Sequence, residues 1–260
     1  MNPLKVEVKK AILLFLVLFL TWQILYFVAL IFPALYDYWL FAYLVVFLVA
    51  ICFYVLDKQK AGDLGFKKPR AWKRYIVVGF VLAIVYILYW AGFGPLMFST
   101  GPIQVVQHGI FSVPYNVVFA LMVGLVEETV FRGYILRNLG KAYSSTKAIA
   151  YSSILFGLYH FSLVSTFTLS MSTSEAFAYQ SLVVLAAFVI GLFLGYFYMN
   201  AGQTIVGTVT YHSSSIFLES LVPYGLATSW LSGHLFSTSV YIIIFPLLIF
   251  LKRKGWLTDS

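Results

Sequence analysis

The stretch Ala11–Phe32 carries no charged residue and is long enough to cross a bilayer as a helix. Similar apolar runs recur to the end of the chain. Of 260 residues, 62% are hydrophobic and only 10% charged, with a mean hydropathy of +0.92. A soluble domain carries about 25% charged residues. The chain therefore reads as an integral membrane protein. Its first apolar run lacks a small-residue cleavage site, so it reads as a span rather than a removable signal.

Hydropathy predicts an all-α, polytopic bundle of about eight transmembrane helices. The expected spans are Ala11–Phe32, Tyr38–Leu56, Tyr75–Phe93, Val117–Leu136, Ala148–Phe167, Ala176–Met199, Thr204–Leu221 and Ser239–Leu251. The fifth and seventh are rich in Ser and Thr, which suits helices buried in a bundle or facing a cavity. With eight spans, all 17 Lys and Arg fall on one side. The positive-inside rule then places both termini in the cytoplasm.

The net charge of +8 follows from this topology. It implies contact with anionic lipid rather than nucleic acid. No repeat or composition break divides residues 1–260, so one membrane domain is expected. Oligomeric state stays open, and a plasma or endoplasmic-reticulum membrane would each fit. The basic loop Asp57–Arg74 is expected to form a solvated or headgroup-bound face. The single cysteine, Cys52, is expected to be a small buried apolar residue, and no disulfide is possible.

Against this background the polar groups inside the spans stand out. Glu127 and Glu128 lie side by side in Leu121-Met122-Val123-Gly124-Leu125-Val126-Glu127-Glu128, and Arg132 follows one turn later. A charge at the bilayer centre costs roughly 2.5–3.5 kcal/mol on insertion scales, so two adjacent carboxylates argue for a function. His160 and His212 lie in the fifth and seventh spans. At about 1.5 Å rise per residue, Glu127, His160 and His212 all sit roughly 13–20 Å above the cytoplasmic helix ends. Three titratable groups at one depth on three helices suggest a shared site.

Glu128 and Arg132 form an i, i+4 pair in the favourable acid-first order, which predicts a neutralising ion pair. Glu127 is rotated about 100° from that face and is expected to face the cavity, where it could act as a general base. The competing reading is a charge cluster that only glues helices. His108 and His234 fall in outer connections and read as solvated loop residues. Glu219 reads as an interfacial carboxylate, and Phe156 as packing beside the site. Tyr159 and Tyr211 each neighbour a key histidine and could either bond into the site or pack.

Glu127-Glu128-x-x-x-Arg132 resembles the EExxxR motif of the CPBP family of intramembrane endopeptidases (CAAX proteases and bacteriocin-processing enzymes, also called ABI), which includes type II CAAX prenyl endopeptidases. Phe156-Gly157-Leu158-Tyr159-His160 is similar to that family's FxxxH motif, and His212 to the histidine of its third motif. The resemblance covers about 117–221, the catalytic-type core. One position departs from it: the third motif carries Asn or Asp four residues after the histidine, and here Ile216 stands there. Ser215, on nearly the same face, is the candidate secondary oxyanion residue in its place.

The resemblance implies hydrolysis of a peptide bond by glutamate-activated water. Glu127, helped by His160, would activate the water, His212 would donate to the oxyanion, and Glu128 with Arg132 would hold the set in place. No cofactor is then required. A zinc ion on Glu127, His160 and His212 is the alternative, though no HExxH pattern is present. The implied partner is a peptide or prenylated protein reached from the cytoplasm, cut near the C-terminus of a CaaX sequence. Two other classes stay open: an inactive relative acting as a binding or immunity protein, and a proton-coupled transporter.

Overall fold

The computed structural model describes residues 3–32, 39–98, 112–163, 172–221, 235 and 238–258, and all regular structure among them is helical. Helix α1 runs Pro3–Ile31, α2 Trp39–Leu56 and α3 Trp72–Phe98. Helix α4, Ser112–Glu128, continues through a π-helical segment, Thr129–Leu136, into the short α5, Arg137–Ala142. Then come α6, Ser145–Tyr159, α7, Thr173–Asn200, α8, Val206–Ser220, and α9, Tyr241–Arg253. His108 and His234 lie outside the described residues.

The helices are apolar on both sides. One stripe of α1 (Ala11, Leu14, Leu18, Trp22) is buried, yet Leu13, Leu16, Leu20, Ile24 and Phe27 recur at helical spacing on its outer face, each about half exposed. An outward apolar stripe of that length suits lipid rather than water. Val6–Ile31, Trp72–Phe93, Val113–Ala142 and Thr173–Asn200 are long and apolar enough to cross a membrane. Leu40–Leu56 is a shorter apolar helix. Cys52 belongs to α2's outer face and is exposed, not buried as its apolar surroundings suggested.

One expected span ends early. The fifth stops at Tyr159, with His160 as its C-cap, because the chain tightens there: Phe161 N–H donates to Leu158 O three residues back. The seventh is α8, Val206–Ser220, within two residues of its expected bounds at each end. Both Ser- and Thr-rich helices are inner ones, with Ser152, Ser153, Thr208, Ser213 and Ser215 buried.

Two apolar cores flank the centre. One joins α1, α2, α4, the π segment and α6, and the other joins α3, α7, α8 and α9. Helix α8 lies between α3 and α4. Gly79 and Gly124 permit that closeness: a Cβ on Gly79 would run into Gly207 O of α8, and one on Gly124 into the Ser213 hydroxyl. Small residues at helix crossings let backbones approach without a side chain between them.

The basic segments meet at one end. Lys10 pairs with Asp57 (2.7 Å), Arg137 with Asp63 (2.7 Å) and Lys141 with Glu7 (3.2 Å). Arg74 donates to Gly255 O and Thr258 O, tying the start of α3 to the chain after α9. The loop Asp57–Arg74 is more than a solvated face. Its lysines are exposed, but Leu64 is buried and a Cβ on Gly133 of the π segment would strike Leu64 O. Thr204 bonds the loop backbone at Gly65 O and Lys67 O, each at 3.0 Å.

Candidate active site

The site lies where α4, the π segment, α6 and α8 meet between the two cores. The sequence spacing suggested an uninterrupted α-helix through Arg132. Instead the helix widens from Thr129, and all eight residues of the π segment are buried. Such insertions recur at functional sites. Here the Phe131 carbonyl, inside the widened turn, accepts a hydrogen bond from Ser152 of α6 at 3.0 Å. The Thr129 hydroxyl donates back to Leu125 O at 2.6 Å.

Glu128 and Arg132 pair as expected, at 3.0 Å, and both are essentially inaccessible. Arg132 also donates to Gly191 O of α7 (3.3 Å), and its guanidinium lies 4.4 Å from the centre of the Phe156 ring. The charge is therefore satisfied on three sides, which a buried guanidinium requires. Phe156 packs edge-on against both Phe131 and the His160 ring. Tyr159 packs against Trp22 and Phe131, whereas the Tyr211 hydroxyl bonds Tyr241 of α9 at 2.9 Å.

The two histidines share one arrangement. His160 Nδ1 lies 2.8 Å from Phe156 O, and His212 Nδ1 lies 2.9 Å from Glu128 Oε1. A carbonyl or carboxylate oxygen can only accept, so each Nδ1 carries the proton. Each ring then turns its Nε2 toward Glu127. Glu127 Oε2 lies 4.0 Å from His160 Nε2 and 3.7 Å from His212 Nε2. Both separations are too long for a direct hydrogen bond and suit one bridged by water. Glu127 Oε2 has no hydrogen-bond partner among the described residues, though it is buried.

The two carboxylates lie on different faces of their helix but meet at one imidazole. Glu128 holds His212 from the Nδ1 side, and Glu127 faces its Nε2. Glu127, Glu128, Arg132, His160 and His212, named from the sequence, thus form one cluster.

Ser215 is buried on α8, but its hydroxyl donates to His212 O at 2.9 Å, which uses its only proton. Ile216 packs against the apolar core. Glu219 lies further along α8, where Tyr86 of α3 donates to it.

Three polar residues of the site went unnamed in the sequence. Tyr43 of α2 donates to Glu127 Oε1 at 2.9 Å. Gln23 of α1 donates to Phe161 O (2.8 Å) and accepts from Leu163 N–H (2.9 Å), gripping the chain that leaves His160. Gln180 of α7, itself buried, accepts from Ser162 N–H between them. All three are neutral residues in apolar helices with partners distant in sequence, so no local spacing marks them.

Among the described residues no group of three or more His, Cys, Asp or Glu has the mutual geometry to hold a metal ion.

No curated protein matches the chain in sequence. Residues 109–218 match the family model described as type II CAAX prenyl endopeptidase Rce1-like. That segment runs from before α4 almost to the end of α8 and contains the five clustered residues. Over residues 109–218, less than half of its length, the chain is thus similar to Rce1-like type II CAAX prenyl endopeptidases.

Proposed function

We propose that the chain is an intramembrane peptidase that hydrolyses a peptide bond with water activated by Glu127. One observation carries the reading: Glu127 Oε2, unpartnered among the described residues, faces the Nε2 atoms of two imidazoles whose Nδ1 atoms are engaged elsewhere. A water held there gives its proton to Glu127 as its oxygen attacks the scissile carbonyl. His160, neutral with its proton on Nδ1, offers an Nε2 lone pair to that water. His212, when protonated, donates from Nε2 to the oxyanion. The proton held by Glu127 then passes to the leaving amine as the carbon–nitrogen bond breaks.

The charges in the cluster support the role of His212. The cluster holds two carboxylates and one guanidinium, and an imidazolium at His212 makes it neutral. Glu128 and Arg132 act by holding that ring. Exposure marks the route of entry: the His160 side chain is 29% accessible, against 12% for His212 and 2% for Glu127.

The proposed substrate, suggested by the similarity over residues 109–218, is a membrane-associated peptide cut near the C-terminus of a prenylated CaaX protein and entering from the cytoplasmic side. Eight spans and cytoplasmic termini belong to the same proposal. It is supported by the ion pairs that gather Lys10, Arg137 and Lys141 at one end.

The test is cleavage of a quenched farnesylated CaaX peptide by purified protein, wild type against Glu127→Ala, with and without a strong chelator. Cleavage that is lost in the variant and indifferent to chelator supports the glutamate mechanism. Loss with chelator and recovery with zinc would make Glu127, His160 and His212 metal ligands. No cleavage by the wild type would favour a binding protein, for which the apolar Ile216 in the third motif speaks.

A further inference from the structure

A carboxylate has two equivalent oxygens and a broad terminal torsion, so a buried base needs something to decide which oxygen it presents. At Glu127 that decision is made outside the family-matched segment. The Tyr43 hydroxyl donates to Oε1 at 2.9 Å, leaving Oε2 toward the imidazoles. A hydrogen bond to an ionised acceptor is about twice as strong as a neutral one.

Tyr43 is itself held. Its ring meets Trp22 of α1 edge-on at 5.1 Å and Phe119 of α4 edge-on at 5.7 Å. Trp22 in turn stacks on Tyr159, the residue before His160, at 6.0 Å. A single aromatic brace from α1 and α2 therefore reaches both the support of Glu127 and the neighbour of His160.

We infer that Tyr43 is a positioning residue for Glu127: its hydroxyl anchors Oε1 so that Oε2 is presented to the reacting water. The inference deepens the glutamate-peptidase reading and rests on it for its catalytic consequence. It also assigns α1 and α2 a part in the chemistry, as the elements that aim the base. The Tyr43 hydroxyl is engaged by Glu127 and its ring is packed against Trp22 and Phe119, so the residue acts through Glu127.

The test compares wild type, Tyr43→Phe and Glu127→Gln as full chains in detergent, on the same fluorogenic farnesylated peptide. Tyr43→Phe keeps the ring and its packing. It should lower kcat roughly ten- to hundredfold, as misplacement of a catalytic group does. KM should change less than about twofold, because the hydroxyl contributes no ground-state binding. A wild-type kcat in Tyr43→Phe, with Glu127→Gln inactive, would overturn the positioning role and leave the peptidase reading standing.

A thermal unfolding cycle tests the contact without turnover. Tyr43→Phe should lower the Tm of the wild type but not that of Glu127→Leu, where the hydroxyl has lost its acceptor. An equal loss in both backgrounds would overturn the inference, whatever the substrate proves to be. Cleavage retained by Glu127→Gln would overturn the peptidase mechanism, and the unfolding cycle would still decide the contact.

Discussion

His212 Nδ1 and Glu128 Oε1 lie 2.9 Å apart, and the same oxygen accepts from Arg132 at 3.0 Å. One buried carboxylate oxygen therefore fixes a helix-borne imidazole and neutralises a guanidinium together. This shared acceptor makes the EExxxR motif a support for the third-motif histidine on α8.

Removing one member of the pair should be worse than removing both. Arg132→Met leaves Glu128 buried beside His212 without its guanidinium, which costs about 3–5 kcal/mol. The double variant Glu128→Gln, Arg132→Met should recover part of that loss in chemical unfolding, yet remain inactive because a neutral amide, though it still accepts from His212 Nδ1, no longer supports an imidazolium there. Equal destabilisation by the single and double variants would mean that the pair is not energetically coupled.

The crossing of α4 and α8 depends on Gly124. In Gly124→Ala the new methyl meets the Ser213 hydroxyl, with Ser213 N 3.1 Å away. That hydroxyl must turn aside and the tight backbone contact be relieved, which moves Glu127 relative to His212. Activity should fall about 10²-fold, the scale of a misplacement near 1 Å. Adding Ser213→Ala removes the nearest clashing atom, so it should restore part of the activity. A double variant no better than Gly124→Ala would argue against this contact as the cause.

The ion-pair network at the basic end gives an acid sensitivity of known sign. Burial opposes ionisation of Asp57, but hydrogen bonds from Lys10 and Tyr134 outweigh it and hold its carboxyl below the ordinary value of 3.8. A lowered folded-state pKa contributes stability that is present above the unfolded value and lost as pH falls through the folded one. Wild type should therefore lose Tm below about pH 4 more steeply than Asp57→Asn. The two curves should converge at the lowest pH. Parallel curves would remove Asp57 from the account.

Gln23 should matter despite its distance from the motifs. Gln23→Leu removes both bonds to the chain after His160 and buries an apolar side chain in their place. Cleavage should fall about tenfold, in the range of lost supporting contacts, with α-helical content unchanged by circular dichroism. Undiminished cleavage would show that Gln180 and the helix end suffice to hold His160.

The charged part of this site was legible because ionisable residues are rare and costly in apolar helices. Glu127, Glu128, Arg132, His160 and His212 announce themselves there, and three of them share a depth that spacing alone can estimate. Tyr43 was not legible: it is one of 19 tyrosines, and its partner is 84 residues away. The π segment was hidden for another reason. An i, i+4 acid–base pair reads as an α-helix, and the widening is settled by Ser152 reaching Phe131 O from a different helix. Hydropathy located the helices but overran α6, because nothing apolar marks the turn at His160 that ends it.

The most direct test is single-turnover cleavage of the farnesylated CaaX peptide by wild type and by Glu127→Gln, with Tm measured on the same samples. Glutamine keeps the shape of the side chain and can still accept from Tyr43, but cannot take the water's proton. The account predicts a loss of at least about 10²–10⁴ in rate, the contribution of a general base, with Tm essentially unchanged. Cleavage by Glu127→Gln at the wild-type rate would contradict it.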